Sequence, residues 1–97
     1  MKVLHLNLRK KWYDMILSGE KKEEYREIKP YWVKRIANLT HSNPSGYDVV
    51  EFRNGYGKYA PRFRIEYKGV KTGDAIPEWS DNWCGKVFII SLGDIIK

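Results

Sequence analysis

The sequence predicts an α+β domain in which about five strands form a small, partly closed mixed β-barrel with two flanking helices. Two patterns predict it: residues 2–8 and 62–68 alternate apolar and polar side chains, whereas residues 9–18 space apolar side chains as a helix does. A length of 97 residues allows one core and no second one. We therefore expect a single domain over residues 1–97 with the order β-α-β-α-β-β-β.

The first half of the chain is predicted to contain two strands and both helices. The strand over residues 2–8 turns its three leucines to one face, and the helix over residues 9–18 ends at Gly19. A second strand over residues 22–28 precedes a helix that Pro30 opens at a tolerated first-turn position. The expected buried stripes are Trp12, Met15, Ile16 and Leu17 in the first helix, and Trp32, Val33, Ile36, Ala37 and Leu39 in the second.

The second half is predicted to contain three strands separated by turn-rich segments. The expected strands cover residues 47–53, 62–68 and 87–92, and the expected loops cover residues 41–46, 54–58 and 73–85. The last strand is apolar on both faces, which indicates a central position in the sheet.

Charge and aromatic content favour a polyanionic partner. The net charge is +6, and the chain contains four Trp, seven Tyr and three Phe. Basic side chains interleaved with rings are typical of proteins that bind single-stranded nucleic acid, because cations meet phosphates and rings stack on bases. The alternative is that the rings fill the core with a polar tip at the surface.

Other function classes are disfavoured by composition. No apolar run approaches the ~20 residues that cross a bilayer, and no signal peptide is recognisable. The single Cys84 cannot form an internal disulfide, which fits a reducing cytoplasm. With one cysteine and the separated His5 and His41, no zinc pattern exists. We expect a cytoplasmic protein without a metal or cofactor.

The most informative motif is the charged run from Gly19 to Arg26, which can be written G-x-K-x-x-E-x-R. On a strand, Lys22, Glu24 and Arg26 share one face, and Lys21 lies at the turn before it. This cluster is either a polar pocket for a phosphate or a nucleobase edge, or an exposed strand edge whose charges pair weakly. Spacing alone favours the exposed edge, where each pair contributes well under ~1 kcal/mol.

A second basic and aromatic cluster follows the third predicted strand. It consists of Arg53, Asn54, Tyr56, Lys58 and Arg62. Gly55 and Gly57 permit close backbone contact with a ligand, although a plain β-turn explains them equally well. Trp79 and Trp83 in the long loop are expected either to stack on a ligand or, for Trp79, to plug one end of the barrel.

Taken together, these segments resemble the ASCH domain, a branch of the PUA-like superfamily. The resemblance is carried by Leu4-His5-Leu6-Asn7-Leu8, the G-x-K-x-x-E-x-R element, the segments 52–58 and 60–62, and Pro77-Glu78-Trp79, as in small stand-alone ASCH proteins of bacteria and phages. It implies a PUA-like β-barrel that binds RNA. By position, it implies that Lys21, Glu24 and Arg26 line a cleft.

The resemblance also implies an enzymatic alternative. Some small ASCH proteins are amidohydrolases that act on an acetylated cytidine nucleoside, and ribonuclease activity has been attributed to the family. Lys21 matches these amidohydrolases, but Glu24 stands where they carry a nucleophilic Thr, and Glu lacks the hydroxyl group. In an enzyme of either kind, Lys21 and Glu24 would be the acid–base pair.

We therefore expect an RNA-binding module, with a small hydrolase of modified nucleosides or RNA as the alternative. A protein-interaction adaptor that works through an exposed strand edge is a third and more distant hypothesis. The residues expected to bind nucleic acid are Lys21, Glu24, Arg26, Arg53, Asn54, Tyr56, Lys58, Arg62 and Trp79.

Overall fold

A computed structural model describes residues 2–37, 46–81 and 85–96. In chain order, the elements are β1 (Val3–Asn7), α1 (Lys10–Leu17), β2 (Glu23–Glu27), α2 (Pro30–Trp32), which continues as a π-helix (Val33–Ala37), β3 (Val49–Arg53), β4 (Arg62–Asp74) and β5 (Lys86–Ile96). A short 3₁₀ turn (Pro77–Trp79) lies between β4 and β5. This is the element order that the sequence predicts.

The five strands form one curled mixed sheet, a half-barrel, in the order β1-β3-β4-β5-β2. β1 runs parallel to β3, and the other neighbouring strands are antiparallel. β5 lies between two strands, as its apolar character predicts. β1 and β2 form the two edges of the sheet, and a side chain of β2 reaches β1 directly, since Arg26 Nη2 donates to the Asn7 carbonyl oxygen at 3.0 Å. We call the gap between the edge strands β1 and β2, which Arg26 spans, the seam.

The core lies on the inner face of the sheet, under α1. The three leucines predicted to face inward are buried there, together with Trp12 and Ile16 of α1. The predicted helix stripes are only partly correct: Leu17 and Val33 are exposed, and Trp32 is half-buried. For Val33 the reason is the widened π-helical turn, whose i→i+5 hydrogen bonds shift side chains off the i, i+3, i+4 face. Leu39, the side chain of Ala37 and the loop over residues 41–46 up to Ser45 lie outside the described residues.

β4 and β5 are longer than the sequence predicts. β4 continues to Asp74 instead of ending at residue 68, and β5 extends over Lys86–Ile96 instead of 87–92. The pairing register shifts between Ile65 and Tyr67 and again between Tyr67 and Val70, and Gly69 adopts a φ of +115° beside the second shift. Because a bulge breaks the period-2 alternation, the pattern stops indicating a strand where the strand itself continues.

Two buried tyrosines differ in how their hydroxyl groups are satisfied. Tyr25 Oη donates to Glu23 Oε1 at 2.7 Å and accepts from the Ile76 amide at 3.2 Å. Tyr67 Oη is buried without a hydrogen-bond partner among the described residues. Burial, with a smaller contribution from Tyr47, raises the pKa of Tyr67 from 10.0 to about 12.

We expect Tyr67→Phe to raise the free energy of unfolding by about 1 kcal/mol, because it removes a buried hydroxyl that lost water without gaining a partner. Tyr25→Phe should lower it by ~1–2 kcal/mol, because two polar groups lose their partner. Urea denaturation of both variants measures the contrast. An equal decrease in the free energy of unfolding in both variants would contradict the conclusion that the Tyr67 hydroxyl group has no hydrogen-bond partner within the described part of the chain.

The same burial predicts a pH dependence. The unfolded chain ionises Tyr67 at its ordinary pKa of 10.0 and the folded chain only near 12, so the contribution of this group is present below pH 10.0 and lost as the pH rises to about 12. Tyr67→Phe should therefore reduce the alkaline loss of stability.

Candidate nucleic-acid interface

A cavity of about 540 Å³ occupies the seam between β1 and β2. Its walls come from β1, the first turn of α1, β2, α2, the turn after β3 and the segment after the 3₁₀ turn. Its cations are Arg9, Lys21, Arg26 and Arg53, and its Trp and Tyr rings are Trp12, Tyr25, Tyr31, Trp32, Tyr56 and Trp79. Cations and rings that are far apart in the sequence thus share one concave site.

The G-x-K-x-x-E-x-R motif folds into the wall of this cavity. Gly19 has a φ of +88° after α1, and the Lys21 amide then donates to the Met15 carbonyl oxygen at 3.0 Å. This turn carries the Lys21 side chain inward, where it is only 2% exposed. The strand-edge alternative is right that β2 is an edge and wrong about exposure: Lys21 and Glu24 are buried, and the exposed Lys22 precedes β2.

Three charges of the motif form one connected group. Lys21 Nζ donates to Glu24 Oε1 at 2.8 Å, and Arg26 Nη1 donates to Glu24 Oε2. Both carboxylate oxygens are thus engaged by cations, and two positive charges face one negative charge. Because removing one partner of a buried ion pair leaves an uncompensated charge, this group constrains both the fold and the chemistry of the cavity.

Aromatic rings compensate part of the cost of burying Lys21. Its Nζ lies 4.3 Å from the centroid of the Trp12 ring and 5.4 Å from that of Tyr25, within the range of cation–π attraction. Burial nevertheless lowers the pKa of Lys21 below 10.5, against the opposing effect of Glu24, and the charges of Arg26 and Lys11 lower it further.

Arg26 closes the seam. Besides Glu24, its guanidinium donates to the Tyr25 carbonyl oxygen at 2.8 Å and to the Asn7 carbonyl oxygen at 3.0 Å. The Trp32 ring centroid lies 5.1 Å from Arg26 Cζ. Among the described residues, β1 pairs only with β3 and β2 only with β5, so this side chain connects the two edges where ladder hydrogen bonds do not. A planar fork of donors suits this bridging role better than the single ammonium of Lys.

The turn after β3 is held against β1 by side-chain amides. Asn7 Nδ2 donates to the Gly55 carbonyl oxygen at 2.7 Å, and the Gly55 amide donates to Asn7 Oδ1 at 3.0 Å. Asn54 Nδ2 donates to the Leu8 carbonyl oxygen at 3.0 Å. Gly55 has a φ of +110°, which favours glycine at this position. The two asparagines therefore fix the turn that carries Tyr56 to the cavity.

The structure separates the predicted binding residues into two groups. Lys21, Glu24, Arg26, Arg53, Tyr56 and Trp79 line the cavity, whereas Asn54, Lys58 and Arg62 do not. Trp79 also packs against the small cluster of Tyr25, Ala75, Val87 and Ile89. Trp83 lies outside the described residues.

Several cavity residues were not predicted as binding residues. Trp12 and Trp32 were assigned to buried helix stripes, and their apolar spacing carries no sign that their rings face a cavity. Arg9 forms an ion pair with Asp81 across the cavity walls, and no local pattern connects positions 72 residues apart. The outward position of His5 on its strand was a usable signal, since it lines the cavity.

His5 also belongs to a polar row on the outer face of the sheet. Its Nδ1 lies 3.1 Å from Glu51 Oε2, and Arg64 Nε donates to Glu51 Oε1 at 3.1 Å. Burial alone raises the pKa of Glu51, but its contacts with Arg64 and His5 outweigh burial and lower that pKa.

Comparison of the chain with protein-family models, curated proteins and solved structures gives no match. The ASCH resemblance therefore remains a prediction. Across residues 2–37, 46–81 and 85–96, no three His, Cys, Asp or Glu side chains gather as a metal-binding group. In the same part of the chain, no helix has the length and apolarity needed to span a bilayer.

Proposed function

We propose that the protein is an RNA-binding module of the ASCH type that accepts an unpaired nucleotide of a single strand in the seam cavity. The observation that supports this function is one cavity of about 540 Å³ whose lining combines six Trp and Tyr rings with four cations, which outnumber its three carboxylates, Glu24, Glu27 and Asp81. That volume falls within the ~300–1,000 Å³ typical of small-ligand sites. Rings provide stacking surfaces for bases, and cations attract phosphates.

Arg26 retains donors for a ligand. A guanidinium has five N–H groups, and three of those of Arg26 are engaged with Glu24, Tyr25 and Asn7, so with respect to the described residues two remain for a phosphate or a base edge. Tyr31 is 55% exposed and lies edge-on to Trp32, with their ring centroids 4.7 Å apart. In this proposal, Arg26 donates hydrogen bonds to the ligand, and the base of the ligand stacks on the rings of Tyr31 and Trp32.

Fluorescence anisotropy with a labelled short single-stranded RNA tests this function. Trp32→Ala is expected to weaken binding by about 5- to 150-fold, since stacking of a base on an aromatic ring contributes ~1–3 kcal/mol. Binding should also weaken steeply as salt rises from ~50 to ~200 mM. Val33→Ala is the matched control, because Val33 is exposed on the same helix and does not line the cavity. If the affinity for the RNA changes neither in Trp32→Ala nor with salt concentration, this function is excluded.

The burial of Lys21 favours a second candidate, hydrolysis of an acylated nucleoside. A lowered pKa increases the neutral fraction of the Lys21 amine, which can take a proton from a water molecule attacking the acyl carbonyl. Glu24 would stabilise the resulting ammonium, which returns the proton to the departing nucleoside nitrogen as the carbon–nitrogen bond breaks. The products are a carboxylic acid and the free nucleoside, and direct attack by water requires no hydroxyl at position 24.

Chromatography of reactions with N-acetylated cytidine and related acylated nucleosides tests this second function. Lys21→Met should abolish release of the free nucleoside, whereas Lys22→Met, a change at the exposed neighbouring lysine, should leave it intact. Absence of turnover across the panel would remove this candidate.

A further inference from the structure

Beside the cavity, cations collect on the outer face of β3 and β4: Arg53 is half-buried and lines the cavity, whereas Arg62 and Arg64 are exposed and do not line it. The pairing register aligns Asn7, Arg53 and Arg62 in one row and His5, Glu51 and Arg64 in the next. The row between them, Leu6, Phe52 and Phe63, packs in the core. Because successive side chains of a strand alternate between faces, the two polar rows share the face opposite the core. Within these two rows, three arginines against one glutamate give an excess of two positive charges.

Neighbouring oxygen atoms orient these arginines. Arg53 Nη2 donates to the Gly57 carbonyl oxygen at 3.1 Å, and Arg62 Nη2 donates to the Lys58 carbonyl oxygen at 2.8 Å. Arg64 is held by Glu51 at 3.1 Å, yet its side chain is 45% exposed. Each guanidinium has five N–H donors, so in the described part of the chain each arginine keeps donors for a further acceptor, although Arg53 Nε itself is buried. Orienting the side chains in advance reduces the entropy lost on binding.

The turn between β3 and β4 adds exposed rings beside these arginines. The Tyr56 and Tyr59 side chains are 89% and 90% exposed, and Lys58 lies between them in sequence. A single exposed apolar residue is ordinary. Two almost fully exposed aromatic rings next to oriented arginines, however, match the stacking surfaces that proteins use to bind single-stranded nucleic acid. Tyr56 and Arg53 also line the seam cavity, so the two surfaces are continuous.

We infer that this face, the outer track of Arg53, Tyr56, Lys58, Tyr59, Arg62 and Arg64, binds the phosphates and bases that neighbour the nucleotide held in the cavity. The inference rests on the proposed RNA-binding function and specifies its ligand. The ligand is a strand of several nucleotides that runs over β3, β4 and the turn between them, instead of a free nucleoside or mononucleotide. Arginines contact the phosphates, and Tyr56 and Tyr59 stack on the adjacent bases.

The experiment measures the affinity of the protein for uridine monophosphate and for a single-stranded oligouridylate of about six nucleotides. The ratio of the two affinities is the length gain. In the wild type, we expect a gain of at least about tenfold, because each added phosphate contact and stacked base contributes. The double variant Arg62→Gln/Arg64→Gln should reduce the length gain to about threefold or less. It should also reduce, by about two, the slope of the logarithm of oligouridylate affinity against the logarithm of salt concentration.

The matched control is Lys71→Gln/Lys86→Gln, which removes the same charge from exposed positions on the part of the sheet beyond both β4 register shifts. It should retain the length gain, and Tyr59→Ala should reduce the gain without changing the net charge. Equal gains in the arginine variant and its control would overturn the inference, as would a wild type without any gain. If the inference fails but uridine monophosphate still binds, the proposed RNA-binding function is retained. If neither uridine monophosphate nor the oligouridylate binds, both the proposed function and this inference are refuted.

Discussion

Glu24→Gln is expected to lower the free energy of unfolding by about 3–5 kcal/mol, the usual result of removing one partner from a buried ion pair. The Glu24 side chain is only 4% exposed and accepts from Lys21 and Arg26 at once. An amide carries no negative charge, so the buried Lys21 and the half-buried Arg26 would lose their counter-charge. Urea denaturation at neutral pH measures the loss, and Glu20→Gln, a change at an exposed glutamate of the same segment, is the control.

The pH dependence of this loss identifies Lys21 as its cause. Burial lowers the pKa of Lys21 in the folded chain, and removing Glu24, which raises that pKa, lowers it further. Between the folded pKa and the unfolded value of 10.5, the unfolded chain binds more protons, so the stability contribution of this group rises with pH. The deficit of Glu24→Gln relative to the wild type should therefore shrink as the pH rises toward 10.5, the unfolded value.

A second substitution distinguishes uncompensated charge from lost packing. Adding Lys21→Met to Glu24→Gln removes the buried ammonium and should recover part of the lost stability, because the apolar side chain needs no counter-charge. A deficit that stays constant with pH and is not relieved by Lys21→Met would show that the ion pair does not stabilise the fold in this way.

Arg26→Ala is expected to weaken RNA binding by at least about tenfold and to cost about 2–3 kcal/mol of stability. The change leaves Glu24 Oε2 and the carbonyl oxygens of Tyr25 and Asn7 without their donor. Because β1 and β2 meet through this guanidinium, backbone amides of the seam should also exchange faster with solvent. Anisotropy, urea denaturation and hydrogen exchange measure the three effects.

Arg26→Lys separates geometry from charge. Lysine keeps the positive charge but cannot present a planar fork to three acceptors, so it should restore less than half of the lost affinity and leave amide exchange fast. Lys71→Ala removes one exposed charge away from the seam and should change neither stability nor exchange by much. Wild-type behaviour of Arg26→Lys would show that Arg26 acts only as a point charge.

Much of the fold could be predicted because it depends on local patterns. Alternating leucines indicate β1, Gly19 indicates the sharp turn after α1, and the doubly apolar run indicates the paired position of β5. The extra length of β4 could not be predicted, since bulges around Tyr67 and Gly69 break the alternation on which the prediction depends. Val33 was misassigned for a related reason, because a π-helical turn changes the period of the exposed face.

For the candidate site, the sequence by itself determined which residue types are present and that the Gly19 turn leads from a helix into a charged strand. It did not determine that Lys21 and Glu24 are buried, because burial depends on what packs above them, here the Trp12 ring and the curled sheet. Only the tertiary structure brought the edges β1 and β2 within reach of Arg26 and placed Trp32, Tyr56 and Trp79 around the same cavity. Curling of the sheet is a collective result of strand pairing and twist, which no single segment of the chain encodes.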